Sequence, residues 1–419
     1  MSRRCLARFA SPALVLVLFA LAACAPAMVP APLSARQPPY GRIPPPIPPA
    51  PFAAPVPATP SAEAGPAKIA FLVPLSGANA ELGQAMLDAA QLALFEAPDD
   101  RLTLVPRDTG GNASGAAKAA RAVIGDGARL ILGPLLATEV EAVKPVARDA
   151  HINVIAFSTV TDLAGGNAFL MGFLPRQEVV REVGQARDRG LTRFAALAPN
   201  SAYGHLMADA LHDVASTSGA TVTRVEFYDP RAADTAPVVR RLIPGGAAST
   251  AADIAVTGSP SFDALLLPEG GATLKQIARQ IREAESDTKP VQLLGSGLWD
   301  VPDIGSEPAL VGGWFAAAAP EPRRVFEQHF RAVYGHDPPR LASLGYDAAA
   351  LAGVLARSTD SEPFSQQAIL NPSGFTGVDG LFRFAPSGLV QRGLAVLEVQ
   401  PQGDVVISPA PQTFQDIGY

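Results

Sequence analysis

Four hydroxyl side chains, Ser76, Thr138, Ser158 and Thr159, each stand just beyond a short apolar run. Where a buried parallel strand ends and the chain turns, backbone N–H groups are free, and a neighbouring hydroxyl completes a cradle for a carboxylate or similar anion. The competing use of each hydroxyl is to cap a helix. Leu135 lies in a loop of the same kind, Gly133 to Thr138, and further loops at Asn200 to Tyr203 and Glu269-Gly270-Gly271 follow later apolar runs. The candidate ligand-binding residues are therefore Ser76, Leu135, Thr138, Ser158, Thr159, Tyr203 and Glu269. Their chemistry is that of holding a small polar molecule. Covalent catalysis finds no footing: there is no phosphate loop, no His-Glu-x-x-His and no Gly-x-Ser-x-Gly elbow. The five histidines include no pair three or four apart, so neither a helical metal site nor a cofactor is expected. Ser286-Asp287-Thr288-Lys289 matches Ser-x-x-Lys but runs straight into Pro290, which disfavours the helical turn such a pair needs. No enzyme activity is expected.

The elements that position these loops alternate. Lys68–Val73, Leu102–Val105, Leu130–Leu132 and Asn153–Ala156 read as short buried strands, and Ala80–Phe95, Ala113–Ile124 and Ala137–Asp149 as the helices between them. The rhythm resumes with a helix at Arg176–Arg189, a strand at Phe194–Leu197, a helix at Ala202–Thr217 and a strand at Val222–Tyr228. It continues through Val238–Ile243, Ala264–Leu267, Leu274–Glu283 and Val291–Leu294. Continuous apolar strands alternating with amphipathic helices predict an α/β fold of two doubly wound parallel-sheet lobes. Pro244 to Pro260 reads as a surface insertion.

Composition narrows the partners. Of 419 residues 48% are apolar and 17% charged, and the net charge of −6 argues against nucleic acid as a partner. The two cysteines, Cys5 and Cys24, both precede the folded body, which excludes a disulfide framework there. Arg3, Arg4 and Arg8 followed by the apolar run Pro12–Ala22 read as a signal peptide over residues 1–23. Leu21-Ala22-Ala23-Cys24 resembles the bacterial lipobox, which implies an acylated Cys24 and attachment to a lipid membrane. Ala25-Pro26, with no Asp after the lipid, resembles the pattern of lipoproteins bound for the periplasmic face of the outer membrane. Residues 24–67 carry 15 prolines, which excludes sheet and helix and predicts an extended tether of roughly 100 Å or more.

The body from residue 68 onward also resembles a family. Phe71-Leu72-Val73-Pro74-Leu75-Ser76-Gly77, Gly83 and Gln91-Leu92-Ala93 look like the opening of type 1 periplasmic binding proteins of the leucine-binding-like group. That resemblance implies two lobes joined by three hinge crossings, with lobe 1 over about 68–173 and 297–385, and lobe 2 over about 174–296 and 386–419. It also implies that Tyr203, followed by Gly204, offers its ring to a ligand. Gly133-Pro134-Leu135-Leu136 with Glu139-Val140-Glu141, and Gly295-Ser296-Gly297-Leu298-Trp299-Asp300, look like the penicillin-binding protein activator lipoproteins, which act on peptidoglycan synthases. On that pattern Trp299 lies near a hinge crossing and is a candidate contact for a partner. One departure stands out. Amino-acid binders of the family place an acid after a lobe-2 strand to hold the ligand ammonium, and here Arg231-Ala232-Ala233 occupies the place, with Asp234 displaced. Weak binding of common amino acids is the expectation.

Two function classes follow. The first is an activator whose partner is a bifunctional penicillin-binding protein; the alternative is the solute-binding component of an ABC transporter, whose partner is a permease and whose ligand is an amino acid or similar small polar solute. The anchor is testable in either case. Cys24→Ser should move the protein from the membrane fraction to the soluble periplasm, read by fractionation and immunoblotting; retention in the outer membrane would show that Cys24 is not the anchor.

Overall fold

The computed structural model describes residues 65–232, 234–243, 261–285, 290–359 and 361–415. The signal peptide, nearly all of the Pro-rich segment, the 244–260 insertion and Ser286–Lys289 lie outside the described residues. No helix among those described is long and apolar enough to cross a membrane.

The first half follows the predicted alternation: β1 (Ala67–Val73), α1 (Ala80–Glu96), β2 (Leu102–Asp108), α2 (Ala113–Gly125), β3 (Ala128–Leu132), α3 (Ala137–Asp149), β4 (Asn153–Ala156) and β5 (Ala168–Leu170). Its sheet runs β2-β1-β3-β4-β5, with every pair parallel. Alternate side chains serve opposite faces, as the pleat demands. Ile69, Phe71 and Val73 join one core cluster, and Ala70 and Leu72 join the other. Because both faces are covered, the central stretches of β1, β3 and β4 are apolar runs, while the edge strand β2 carries Thr103, Arg107 and Asp108.

The second half contains α4 (Pro175–Asp188), β6 (Arg193–Pro199), α5 (Ala202–Ser218), β7 (Thr221–Tyr228), α6 (Ala236–Leu242), β8 (Ala264–Leu266), α7 (Gly271–Ala284), β9 (Gln292–Leu294) and β10 (Trp314–Ala317). The chain then returns to the first half with α8 (Pro320–Tyr334), α9 (Ala342–Ala356), α10 (Gln366–Ile369) and a small antiparallel sheet of β11 (Phe375–Gly377), β12 (Gly380–Phe384) and β13 (Val390–Arg392). It ends in the second half with β14 (Ala395–Glu398) and β15 (Val405–Ser408), and the sheet there runs β15-β14-β10-β9-β8-β6-β7. Among the described residues the chain passes between the halves three times, at 171–174, 318–319 and 393–394.

Two of these crossings correct the expected boundaries. Residues 297–317 belong to the second half, because Trp314–Ala317 pairs with β9 on one side and β14 on the other. Residues 386–392 stay with the first half, because Val390–Arg392 pairs with β12.

Helix α9 lies directly on α1, and Gly345 sets their separation. A Cβ at that position would fall 2.2 Å from the Met86 carbonyl oxygen, closer than any real contact. Gly345→Ala should therefore force the helices apart and cost about 1–3 kcal/mol, read as a lower urea midpoint with an unchanged slope.

Candidate functional site

The carboxyl ends of the first-half strands are braced from within. Asp108, the last residue of β2, accepts hydrogen bonds from Leu75 N (2.8 Å), the Ser76 hydroxyl (2.6 Å) and Gly110 N (2.7 Å). The Ser76 hydroxyl bond is the largest of the influences holding the Asp108 carboxyl below its ordinary range. Ser76 thus ties two loops together. Ser158 is buried and its Oγ accepts from Val160 N at 3.2 Å, fixing the turn after β4. Leu135 is buried in the first core. Beneath it, Glu139 is fully buried and accepts from Leu136 N, and burial raises its carboxyl above the usual value. Of the residues expected here, Thr138 and Thr159 are exposed, the latter beside Val160.

The second half presents a different surface. Tyr203, in the first turn of α5, is half-buried; burial and the nearby Glu178 raise its phenol, which hydrogen-bonds Ser296. Glu269, after β8, accepts from Gly270 N (2.9 Å) and from the Tyr228 hydroxyl. Burial, then that bond, raise the Tyr228 phenol. Ala232 is exposed, and the neighbouring Asp234 accepts from Ala236 N (2.8 Å) and Gln280 Nε2 (3.3 Å), which closes the turn into α6. Ala233 lies outside the described residues.

Sequence reading missed the side chains of α4, which join these surfaces at the crossings. Gln177 accepts from Arg392 N (3.0 Å) and donates to Val390 O, and Arg181 Nε donates to Leu394 O at 2.7 Å. Glu178 Oε2 accepts from Gly297 N at 3.0 Å, and Glu182 Oε1 from Ala316 N at 3.0 Å. Burial, opposed by the Gly297 N–H and Arg340 and reinforced by Asp300, pushes the Glu178 carboxyl up to about 7. Burial and then Glu178 raise Glu182 well above the usual value. Around them Asp300 pairs with Arg323 and Arg340, and Arg340 also pairs with the buried Asp379 (2.9 Å). The guanidinium groups of Arg340 and Arg392 stand 4.2 and 4.9 Å from the ring centre of Phe173, in the first crossing. The one available signal was spacing: Glu178 and Glu182 directly precede the buried Val179 and Val183 on the same helix.

Trp299 corrects an expectation. It is fully buried, its Nε1 donates to Leu267 O at 3.2 Å, and it packs in the second-half core with Phe315. A side chain with no exposed surface cannot form the expected partner contact; the neighbouring Asp300 is the residue that reaches the first half, through Arg323 and Arg340. No group of three or more metal-ligating side chains occurs among the described residues.

The fold is two α/β halves joined by three crossings, with polar loops at the strand ends. The periplasmic binding protein family matches residues 66–404, and the chain belongs to that family. An ABC transporter substrate-binding protein from Sphaerobacter thermophilus has the same fold (TM-score 0.66, 22% identity, 83% of this chain and 98% of that one). So does the branched-chain amino acid transporter substrate-binding protein LivJ from Streptococcus pneumoniae, solved with isoleucine (TM-score 0.57, 17% identity, 82% and 100%). A solute-binding protein of an ABC transporter from R. palustris, solved with benzoate, is similar too (TM-score 0.57, 17% identity, 83% and 98%). An uncharacterized protein of Rickettsia prowazekii is 23% identical over 235 residues, which span 56% of this chain and 61% of that protein.

Two measurements test this reading of the site. Trp299→Ala should cost about 3–5 kcal/mol of stability, seen as a large drop in the unfolding midpoint; a near-native midpoint would argue against its core role. Glu178 gives a pH signature. The folded chain holds its proton more tightly than the unfolded chain, so its contribution is greatest below the ordinary value of 4.5 and is lost as pH rises to about 7. The facing groups are Glu182, Asp300, Arg340, Tyr203 and Gly297 N–H, and these remain in Glu178→Gln. Relative to that variant, the wild type should lose stability as pH rises from 4.5 to about 7, measured by urea titration.

Proposed function

We propose that the chain is a non-catalytic periplasmic solute receptor, lipid-anchored through Cys24, that closes its two halves on a small polar solute and presents it to an ABC permease. The observation that carries this reading is the convergence at α4. The loop after β9 bonds to Glu178 near the start of this helix, and Gln177 and Arg181 of the same helix bond to backbone at the third crossing. Such an arrangement couples occupancy between the halves to their relative position. Solute-binding neighbours of the same fold support it.

The synthase-activator reading has less support. It rests on the lipid anchor, the long Pro-rich spacer and the segments Gly133–Leu136, Glu139–Glu141 and Gly295–Asp300, and within these segments Leu135, Glu139, Ser296 and Trp299 are buried. Their match therefore reflects internal packing as much as any partner surface.

The test is to purify the mature protein under native conditions, denature it and identify what is released by mass spectrometry, while cross-linking in cells identifies its neighbour. A polar solute in near-stoichiometric amount and a permease subunit are expected. An empty protein cross-linked to a bifunctional penicillin-binding protein, and stimulating its glycan polymerisation, would establish the activator reading instead.

A further inference from the structure

We propose that Asp300 is a reversible latch between the halves: its carboxylate, carried by the second half, is held by Arg323 and Arg340 of the first, and its release frees the halves to change their relative angle. The latch serves a receptor or an activator equally, since it acts on that angle and not on what lies between the halves.

Asp300 follows the buried Trp299 in the loop after β9, and the indole, bonded to Leu267 O at 3.2 Å, fixes that loop to the second-half core. The carboxylate points out of its own half. Arg340 Nε donates to Asp300 Oδ2 at 3.1 Å, and Arg323 Nη1 donates to the same oxygen. The two guanidinium groups come from different elements of the first half. Arg323 stands in the first turn of α8, directly past the second crossing, and Arg340 just before α9. Side-chain exposure is 12% for Asp300, 14% for Arg323 and 25% for Arg340. Water and salt screen such charges weakly, so the attraction exceeds that of a pair on the open surface.

Arg340 also carries the link to the first crossing. Its guanidinium stands 4.2 Å from the ring centre of Phe173. Arg392, just before the third crossing, stands 4.9 Å from the same ring and donates to Met171 O at 2.7 Å. A change of angle between the halves draws Asp300 away from this assembly. The first half keeps its balance when that happens. Arg323 retains Glu327 (2.9 Å), and Arg340 retains the buried Asp379 (2.9 Å) and the Ser343 hydroxyl (2.9 Å). Asp300 passes to water. A buried pair is costly to break when it strands a charge, and here neither cation is stranded. The contact can therefore open and re-form, which distinguishes a latch from a permanent brace.

The test reads the angle directly and needs no solute. No cysteine occurs after Cys24, so spin labels are placed through Gln91→Cys on α1 and Asp213→Cys on α5, both exposed positions. The full-length mature protein is studied in detergent after exhaustive dialysis, and double electron–electron resonance gives the distance distribution. One main distance is expected in this parent. Asp300→Asn, which keeps the shape and removes the charge, should raise the share of a second distance about tenfold, and Arg323→Gln should do the same. Glu327→Gln removes an ion pair confined to α8 and should leave the distribution unchanged. Should neither Asp300→Asn nor Arg323→Gln fold, the parent decides: raising NaCl from about 0.05 M to about 1 M should broaden its distribution. The latch is overturned if the folded variants match the parent, or if Glu327→Gln broadens the distribution as much as Asp300→Asn does. Where only the parent can be read, a distribution that salt leaves unchanged overturns it.

Discussion

Three polar side chains on one face of α4 meet backbone at or beside the crossings between the halves of this protein, and a fourth, Glu178, meets the loop after β9. Gln177, Glu178, Arg181 and Glu182 fall at the i, i+1, i+4 and i+5 spacing that puts them side by side on a helix. Between them they bond to Val390, Arg392 and Leu394 at the third crossing, to Ala316 just before the second, and to Gly297 in the loop after β9. The two glutamates do this while buried, where an ionised carboxylate is expensive and a proton is retained more readily. A leucine in either place would pack without that cost but would leave a buried N–H of Gly297 or Ala316 unsatisfied. Gln177 and Arg181 thus tie α4 to the third crossing, while Glu178 and Glu182 tie it to the strand ends of its own half.

The same constraint explains what could be read in the sequence. Strands β1, β3, β4 and β6 announce themselves because a parallel strand covered on both faces has no polar position, and Phe71, Leu132, Ile155 and Leu197 sit in unbroken apolar runs. The strand Trp314–Ala317 does not. Half of it is alanine, it is followed by Ala318-Ala319-Pro320, and its role appears only once β14 returns from far along the chain to pair with it. Val390–Arg392, three residues long, gives no pattern at all, so sequence alone places the third crossing too early.

The site is legible as a set of loops but not as a set of contacts. Sequence position puts Ser76 and Ser158 at strand ends correctly, yet cannot tell that their oxygens face Asp108 and Val160 N instead of open space. Trp299 shows the converse. A Trp in a Gly-rich loop suggests display, but Gly295 and Gly313 are the walls of an indole slot: a Cβ on either would strike the ring. Glu178 and Glu182 give no such signal, because glutamates in a helix with Arg176, Arg181 and Arg187 read as the solvated face. Periodicity assigns polar residues to water by default, and a buried hinge is where that default fails.

The two halves consequently bring unlike chemistry to the space between them. The first offers loops already closed on themselves, with hydroxyls at Thr138 and Thr159 and little residual charge, since Asp108 is saturated by its own neighbours. The second half offers carboxylates: Glu178 is buried and bonded to Gly297 N, and Glu269 is held by Gly270 N and Tyr228. A ligand drives closure only by interacting differently with the open and closed arrangements, and any such difference acts through α4, whose side chains bond to backbone at or beside the second and third crossings.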